Sequence, residues 1–269
     1  MVTFPNAKIN LGLHVKFKRD DGFHELETVM MPIPLYDVLE ILPGKKIELH
    51  VSGIGLSETS IEDNLVYKAW QMLNEHYRVP PVRMFLHKKI PTGAGLGGGS
   101  ADAVFALKAM NKIFDLQVPL VEMENHAAKL GSDCALFIQN QAALATGRGE
   151  KLHPFAIDLN GKYLFLVVPD LHVSTADAYR GVETKIPERS LHQIIHEPLS
   201  SWEGKLKNDF ESSIFRRFPK LEQIKRSMYE AGAIYASMSG SGSAIFGLFE
   251  KAPKNLDFPK SYFSTVLIL

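Results

Sequence analysis

Apolar side chains recur at every second position early in the chain: Ile9, Leu11, Leu13, Val15 and Phe17 alternate with Lys8, Asn10, Gly12, His14 and Lys16. That period predicts a half-buried strand over residues 7–17. Asp20-Asp21-Gly22 is a hairpin turn signal, so residues 24–33 read as the returning strand. Residues 38–42 and 46–51, parted by Pro43-Gly44, predict a second hairpin. The period then lengthens. Leu65, Val66, Ala69, Trp70 and Leu73 fall at helical spacing behind an Asp63 or Asn64 cap, and residues 82–87 return to a strand. Helices follow over 100–112, with Gly99 or Ser100 as the cap, and over 119–130, stopped by Gly131; a short one from Ser132 carries Asp133 in its first turn. The polar turn 147–150 closes this half. Past it come a strand at 163–168, a capped helix at 174–179, and a polar stretch at 187–199 that predicts loop and a short helix. Helices at 208–218 and 221–231 are split by Pro219, and strands at 235–239, 244–249 and 262–269 complete the chain. Strands and helices recur in both halves without a repeat, which predicts an α+β protein of two domains, residues 1–152 and 153–269.

One stretch departs from every such pattern. Pro91-Thr-Gly-Ala-Gly-Leu-Gly-Gly-Gly-Ser-Ala-Asp102 holds five glycines in seven residues and runs into a helix. Glycine gives up side-chain packing and loses the most backbone entropy on folding, so a cluster of it fits a place where main chain must approach a ligand closely. The N–H groups at a helix start and the positive end of the helix dipole favour phosphate, which points to a nucleotide's phosphate tail. Two or three glycines would be an ordinary flexible turn; five bounded by Pro91 are not. The run is no Walker A loop, since Gly-Lys-Ser/Thr is absent. Gly93-x-Gly95-x-x-Gly98 matches the dinucleotide fingerprint, but Lys88-Lys89-Ile90-Pro91 separates it from the strand before it, and Asp115 ends a helix. The partner motifs of a protein kinase are missing.

Charge and composition narrow the chemistry. The formal net charge of zero makes no electrostatic case for nucleic acid, and no apolar run approaches a spanning length, so neither nucleic acid nor membrane is an expected partner. The N-terminus lacks the basic and apolar regions of a signal peptide, and the single Cys134 excludes an internal disulfide or a multi-cysteine zinc site; a cytoplasmic protein is expected. His-Glu-x-x-His and Gly-x-Ser-x-Gly are absent. Phosphoryl transfer asks for little beyond positioned phosphates, neutralised charge and one carboxylate to take a hydroxyl proton. The chain carries thirty acidic residues, and composition does not choose among them.

The run from Pro91 to Ser100 resembles the Pro-x-x-x-Gly-Leu-Gly-Ser-Ser loop of the galactokinase, homoserine, mevalonate and phosphomevalonate (GHMP) kinase superfamily. Ala7-Lys-Ile-Asn-Leu11, Asp21-Gly-Phe-His24 and Leu130-Gly-Ser-Asp133 are similar, in order, to segments of one of its families, the diphosphocytidyl-methylerythritol kinases of the non-mevalonate isoprenoid pathway. So are Glu62-Asp-Asn-Leu65, Asn208-Asp209 and Ser239-Gly-Ser-Gly242. The resemblance implies an N-terminal ribosomal-protein-S5-domain-2-like, ATP-binding domain and a C-terminal ferredoxin-like GHMP kinase domain, with a left-handed βαβ crossover and substrates meeting in the cleft between the domains. It implies ATP as phosphoryl donor, with Mg²⁺, and the tertiary 2-hydroxyl of a cytidine diphosphate ester, a small molecule, as acceptor.

By the same resemblance Asp133 is the general base and Lys8 its partner. The nucleotide falls to Asn64, Lys88, Lys89, Pro91, Thr92, Gly93, Ala94, Gly95, Leu96, Gly97, Gly98, Gly99, Ser100 and Ala101. The acceptor falls to Asn10, Phe23, His24, Thr175, Tyr179, Ser239, Gly240 and Gly242, with His24 reading the cytosine edge and Phe23 and Tyr179 offering the faces. Read without it, Lys8 is a solvated strand residue, Asp133 a helix cap, His24 a polar turn residue, Tyr179 a core tyrosine, and Lys88-Lys89 a solvated pair. Phe23 stands where the family carries Tyr and keeps the ring without the phenol; Ala94 replaces a glycine and must keep φ negative. Asp102, close to the implied triphosphate, is either repelled by it or bridged by a metal ion; no metal ligand is assigned. Cys134 has no candidate base and reads as core. The competing activities are another GHMP kinase, of homoserine or mevalonate type, and a non-catalytic nucleotide- or RNA-binding protein on the S5-like fold.

Overall fold

The computed structural model describes residues 1–54, 60–254 and 256–269. In chain order its elements are β1 (Val2–Thr3), β2 (Asn6–Lys18), β3 (His24–Tyr36), β4 (Val38–Pro43), β5 (Glu48–Gly53), α1 (Leu65–Tyr77), β6 (Val82–Lys88), α2 (Gly98–Ile113), α3 (Leu120–Leu130) and α4 (Cys134–Gln139). There follow β7 (Ala143–Gly147), β8 (Lys151–Pro154), β9 (Tyr163–Val168), α5 (Thr175–Arg180), α6 (Leu191–Ile195), α7 (Glu211–Arg217), α8 (Pro219–Glu230), β10 (Tyr235–Met238), β11 (Ile245–Phe249) and β12 (Phe263–Ile268). The chain forms two compact units, each drawn from three stretches: Met1–Ala7, Leu35–Thr92 and Gly97–Gln141 in the first, Lys8–Pro34, Gly93–Leu96 and Ala142–Leu269 in the second. Both mix strands with helices, as an α+β protein does.

In the first unit the sheet order is β1-β4-β6-β5. The hairpin expected of residues 38–51 is not formed: β6 lies between β4 and β5, antiparallel to one and parallel to the other. A parallel neighbour requires a crossover, which α1 supplies, and the Pro43-Gly44 corner is tied to the start of β6 by Gly44 N–H donating to Pro81 O at 2.9 Å. Along β6 Val82, Met84, Leu86 and Lys88 face inward, while Arg83, Phe85 and His87 are exposed. Period two therefore delivers a lysine to the core side. Helix α2 packs against α1, α3, α4 and β4 and is buried over most of its circumference, its alanines permitting close approach.

The second unit holds two four-stranded sheets, β2-β3-β7-β8 and β10-β11-β9-β12. β2 differs from the half-buried strand its alternation predicts. It is buried on both faces from Asn6 to Val15, because the polar atoms of Lys8 and Asn10 find partners inside the protein. Leu13, Val15, Phe165, Val167, Phe210, Ile214, Leu221, Ile224, Met228 and Ile245 share one core. Pro219 separates α7 from α8 by taking the first position of α8, where its missing N–H is not needed. α7 begins at Glu211, not at Asn208, since the Asn208 amide is committed to Met238 O and Gly240 O, both at 2.8 Å. Among the described residues no helix is long and apolar enough to cross a membrane.

Candidate active site

In the first unit three helix starts gather around the glycine run. α2 begins at Gly98, earlier than a Gly99 or Ser100 cap implies, because Gly97 takes the left-handed conformation (φ 70°) that a side chain would resist and so becomes the cap itself. No side chain caps the helix. Asn64 caps α1, its Oδ1 accepting from Val66 N–H at 2.9 Å, and Leu65 lies against Gly99: a Cβ added there would sit 3.7 Å from Leu65 Cδ1. Gly98 is buried, and a Cβ there would stand 2.8 Å from Ile90 Cγ2 and 3.4 Å from Lys88 Nζ.

Asp133 occupies the cap position of α4 without making a capping hydrogen bond. The next residue, Cys134, is fully buried, its Sγ and Ser100 Oγ both standing beside Gly131, 3.4 and 3.8 Å from where a Cβ there would be, and its thiol is pushed up to about 11 by desolvation, with the Asp133 charge adding to the rise. It is the inert core residue expected. Through Ser100 and Cys134 the start of α4 is packed on the first turn of α2, and Asp133 with it.

Lys88 is not half of a solvated pair. It is 6% exposed, and its ammonium is bound to Asp37 and, at 2.6 Å, to Asp102 Oδ2, whereas Lys89 is exposed. Asp37 Oδ1 accepts from Lys89 N–H at 2.5 Å and Ile90 N–H at 2.9 Å. Asp37 thereby ties the end of β6 to the entrance of the glycine run, where Pro91 is half-buried and Thr92 exposed. Asp102 is turned inward to Lys88, so the choice between repulsion and metal bridging gives way to an internal ion pair. Burial pushes its carboxyl up to about 7, against the pull of Lys88 and with the added repulsion of Asp37. Desolvation lowers the pKa of Lys88, but the two carboxylates outweigh it and the net direction is upward.

Sequence reasoning missed this triad. Its signal was present: extending β6 by one residue in register puts Lys88 on the face of Met84 and Leu86, where a lysine needs carboxylates. Ala101, beside Asp102, is fully buried. Among the described residues no group of three or more His, Cys, Asp or Glu side chains is placed to hold a metal ion.

In the second unit Lys8, 3% exposed and not solvated, donates from Nζ to Asn10 Oδ1 at 2.7 Å. Asn10 Nδ2 donates to Thr28 Oγ1 at 3.0 Å, and that hydroxyl donates to Gly12 O at 2.6 Å. Asn10 is thus placed to orient Lys8. The two glycine-rich stretches, unrelated in sequence position, meet here. Ser239 Oγ donates to Gly95 O at 2.9 Å and accepts from Asn10 N–H at 3.2 Å; Ala244 N–H donates to Ala94 O at 3.1 Å. Gly95 (φ 78°) must lack a side chain, since a Cβ would fall 2.1 Å from Ser239 O. Gly240 packs on the same spot, a Cβ there reaching 3.3 Å from Asn10 Oδ1 and 3.6 Å from Gly95 Cα. Gly242 turns the loop at φ 88°, and a Cβ on it would meet Met238 Sδ at 2.7 Å. Gly93 lies against His172, and Leu96 is buried with its carbonyl accepting from Lys8 N–H at 2.9 Å. Ala94 stays out of the left-handed region, as its side chain requires. Thr175, first residue of α5, stands 3.5 Å from Ser241 Oγ.

His24, Tyr179 and Phe210 form a run of three rings. His24 stacks on Tyr179 with centroids 4.9 Å apart, and Tyr179 meets Phe210 edge-on at 4.9 Å. His24 is not a lone turn residue, and its pKa is lowered by desolvation and by Lys18, which favours the neutral ring that both donates and accepts. Phe23 is 52% exposed with the Arg148 guanidinium 4.6 Å from its ring centre, a cation–π contact absent from the sequence reading.

The sequence matches the model of the GHMP kinases N terminal domain over residues 64–148 and that of the GHMP kinases C terminal over residues 189–256. The 4-diphosphocytidyl-2-C-methyl-D-erythritol kinase of Bacteroides fragilis (strain YCH46) is 48% identical over 268 residues, covering 97% of this chain and 97% of its own. A crystal structure of 4-(cytidine 5'-diphospho)-2C-methyl-D-erythritol kinase superposes with a TM-score of 0.78 at 35% identity, over 92% of this chain and 90% of that one. The Methanococcus jannaschii mevalonate kinase superposes with a TM-score of 0.67 at 13% identity over 100% and 98%, a likeness of fold alone.

Proposed function

The chain belongs to the GHMP kinase family, among the 4-diphosphocytidyl-2-C-methyl-D-erythritol kinases, and from that premise we propose that it transfers the γ-phosphoryl group of ATP to the tertiary 2-hydroxyl of 4-diphosphocytidyl-2-C-methyl-D-erythritol. The observation that carries the chemistry is the packing of the start of α4, with Asp133, on the uncapped start of α2 through Cys134 and Ser100. The α2 amides and the run from Pro91 to Ala101 hold the nucleotide phosphates, with Asn64 near the adenine. Asp133 takes the acceptor proton as the hydroxyl attacks, and Lys8, aimed by Asn10, stabilises the charge that develops on the transferring group. His24 reads the cytosine edge, with Tyr179 and Phe23 as stacking surfaces; Thr175 and the Ser239–Gly242 loop attend the ester's phosphates. Among the described residues no group of three or more His, Cys, Asp or Glu side chains is placed to hold Mg²⁺, which would be held mainly by the nucleotide's phosphates and would supply neutralisation of their charge.

Incubation with ATP and the cytidine ester, followed by phosphorus NMR of the product, tests the reading. A new phosphomonoester on the 2-hydroxyl is expected. Unchanged substrate, or phosphate on another hydroxyl, overturns it.

A further inference from the structure

Beneath the first turn of α2 lie two carboxylates and one ammonium, with side-chain exposures of 0% for Asp37, 4% for Asp102 and 8% for Lys88. With both carboxylates ionised the group carries one net negative charge in a low-dielectric interior, directly behind a helix start read as a polyphosphate site. Lys88 Nζ lies 3.4 Å from where a Cβ on Gly98 would stand, so the ammonium sits directly under the helix start. The two acids are not equivalent. Asp37 is fully served as a carboxylate, with Oδ2 on Lys88 and Oδ1 accepting two backbone N–H groups. Asp102 has Oδ2 on Lys88, but its Oδ1 is buried without a hydrogen-bond partner. An unserved carboxylate oxygen in such a setting is where a proton settles. The charged groups acting on Asp102 are Lys88 from β6 and Asp37 from the β3–β4 connection; α1, α3 and α4, also packed on α2, turn no ion-pairing group toward it among the described residues.

We propose that Asp102 takes up a proton when a nucleotide triphosphate settles on the start of α2, making the Asp37–Lys88–Asp102 group a charge-adjusting, positioning part of the nucleotide site. The inference rests on the nucleotide reading of that helix start given above. A polyanion's potential disfavours the ionised carboxylate, and protonation leaves Lys88 paired with Asp37 alone, a neutral couple that no longer repels the phosphates. Burial already holds the Asp102 carboxyl near neutrality, so a modest rise suffices. By linkage the coupling is reciprocal: nucleotide affinity falls as pH rises through the titration of Asp102.

Isothermal titration of ATP without acceptor at pH 7.8, where the nucleotide's own phosphates are ionised, in Tris and in HEPES, measures the uptake. The wild type should bind with a buffer-dependent heat equal to roughly half a proton taken up. Asp102→Asn, which keeps shape and leaves Lys88 one carboxylate, should still bind ATP, lose the buffer dependence and flatten the pH profile of the Kd. Asp102→Ser serves in the same way if the Asn variant does not fold. ATP binding with a buffer-independent heat in the wild type, or uptake that persists in the variants, overturns the proposal and leaves the nucleotide reading standing. No ATP binding by folded wild type overturns both.

Discussion

Among the described residues two lysines are buried, and the two regions that hold them position the ammonium through different side chains. In the first unit Lys88 is clamped by Asp37 and Asp102, and Asp37 also fastens the backbone leading into the glycine run. In the second unit Lys8 donates to Asn10 Oδ1, and Asn10 is itself held by Thr28 and Ser239, a run of hydrogen bonds that fixes where the ammonium points. The clamp of Asp37 and Asp102 makes Lys88 part of the scaffold. The Asn10 amide sets the direction of the Lys8 ammonium.

Exchanging each lysine for methionine, which keeps much of the stem volume, separates these roles most sharply. Lys88→Met leaves two buried carboxylates unmatched and should lower unfolding stability by about 3 kcal/mol or more in denaturant melts. Lys8→Met should cost less stability while cutting turnover at least ~10²-fold. Equal losses of stability, with turnover falling only in step, would erase the distinction. Asp133→Asn should lower the single-turnover rate at least ~10²-fold with ATP affinity nearly unchanged, because only the proton acceptor is removed. Loss of ATP binding along with turnover would assign Asp133 to structure.

Much of this arrangement was legible in the chain, and the illegible part has a common cause. Helical and strand periods placed most elements but not β1, β7 or β8, and the motif resemblance named Lys8, Asp133 and the glycine run. Period says which side a residue faces, not what lies across from it. Val38–Pro43 and Glu48–Gly53 looked like a hairpin because their partner, β6, comes 29 residues or more later in the chain. Lys88 read as a nucleotide contact or a solvated charge, Asp102 as a neighbour of the triphosphate, and Asp37 carried no signal, since only the fold brings a strand connection, a strand end and a helix turn to one point. The contact of Gly95 with Ser239 escaped for the same reason: two loops 144 residues apart carry no local sign of each other.

Smaller effects refine the contrast. Tyr179→Ala removes a ring stacked on His24 and should weaken the cytidine ester by roughly one to two orders of magnitude, at ~1–3 kcal/mol per stacked base, leaving ATP affinity intact in direct titrations. Adjacent glycines divide next. Gly98→Ala drives a methyl against Ile90 and should reduce stability by about 1–3 kcal/mol, whereas Gly99→Ala meets only an ordinary contact with Leu65 and should melt like the wild type. Gly99→Ala should still bind ATP about tenfold more weakly, its methyl crowding the amides of the α2 start.

The most direct test of the whole account is kcat/KM with ATP against four acceptors: 4-diphosphocytidyl-2-C-methyl-D-erythritol, its uridine analogue, methylerythritol phosphate without the base, and homoserine or mevalonate. The account predicts turnover concentrated on the cytidine ester, with His24→Ala narrowing the gap between cytidine and uridine. Equal or better use of methylerythritol phosphate, homoserine or mevalonate, or a cytidine preference untouched by both His24→Ala and Tyr179→Ala, would contradict it.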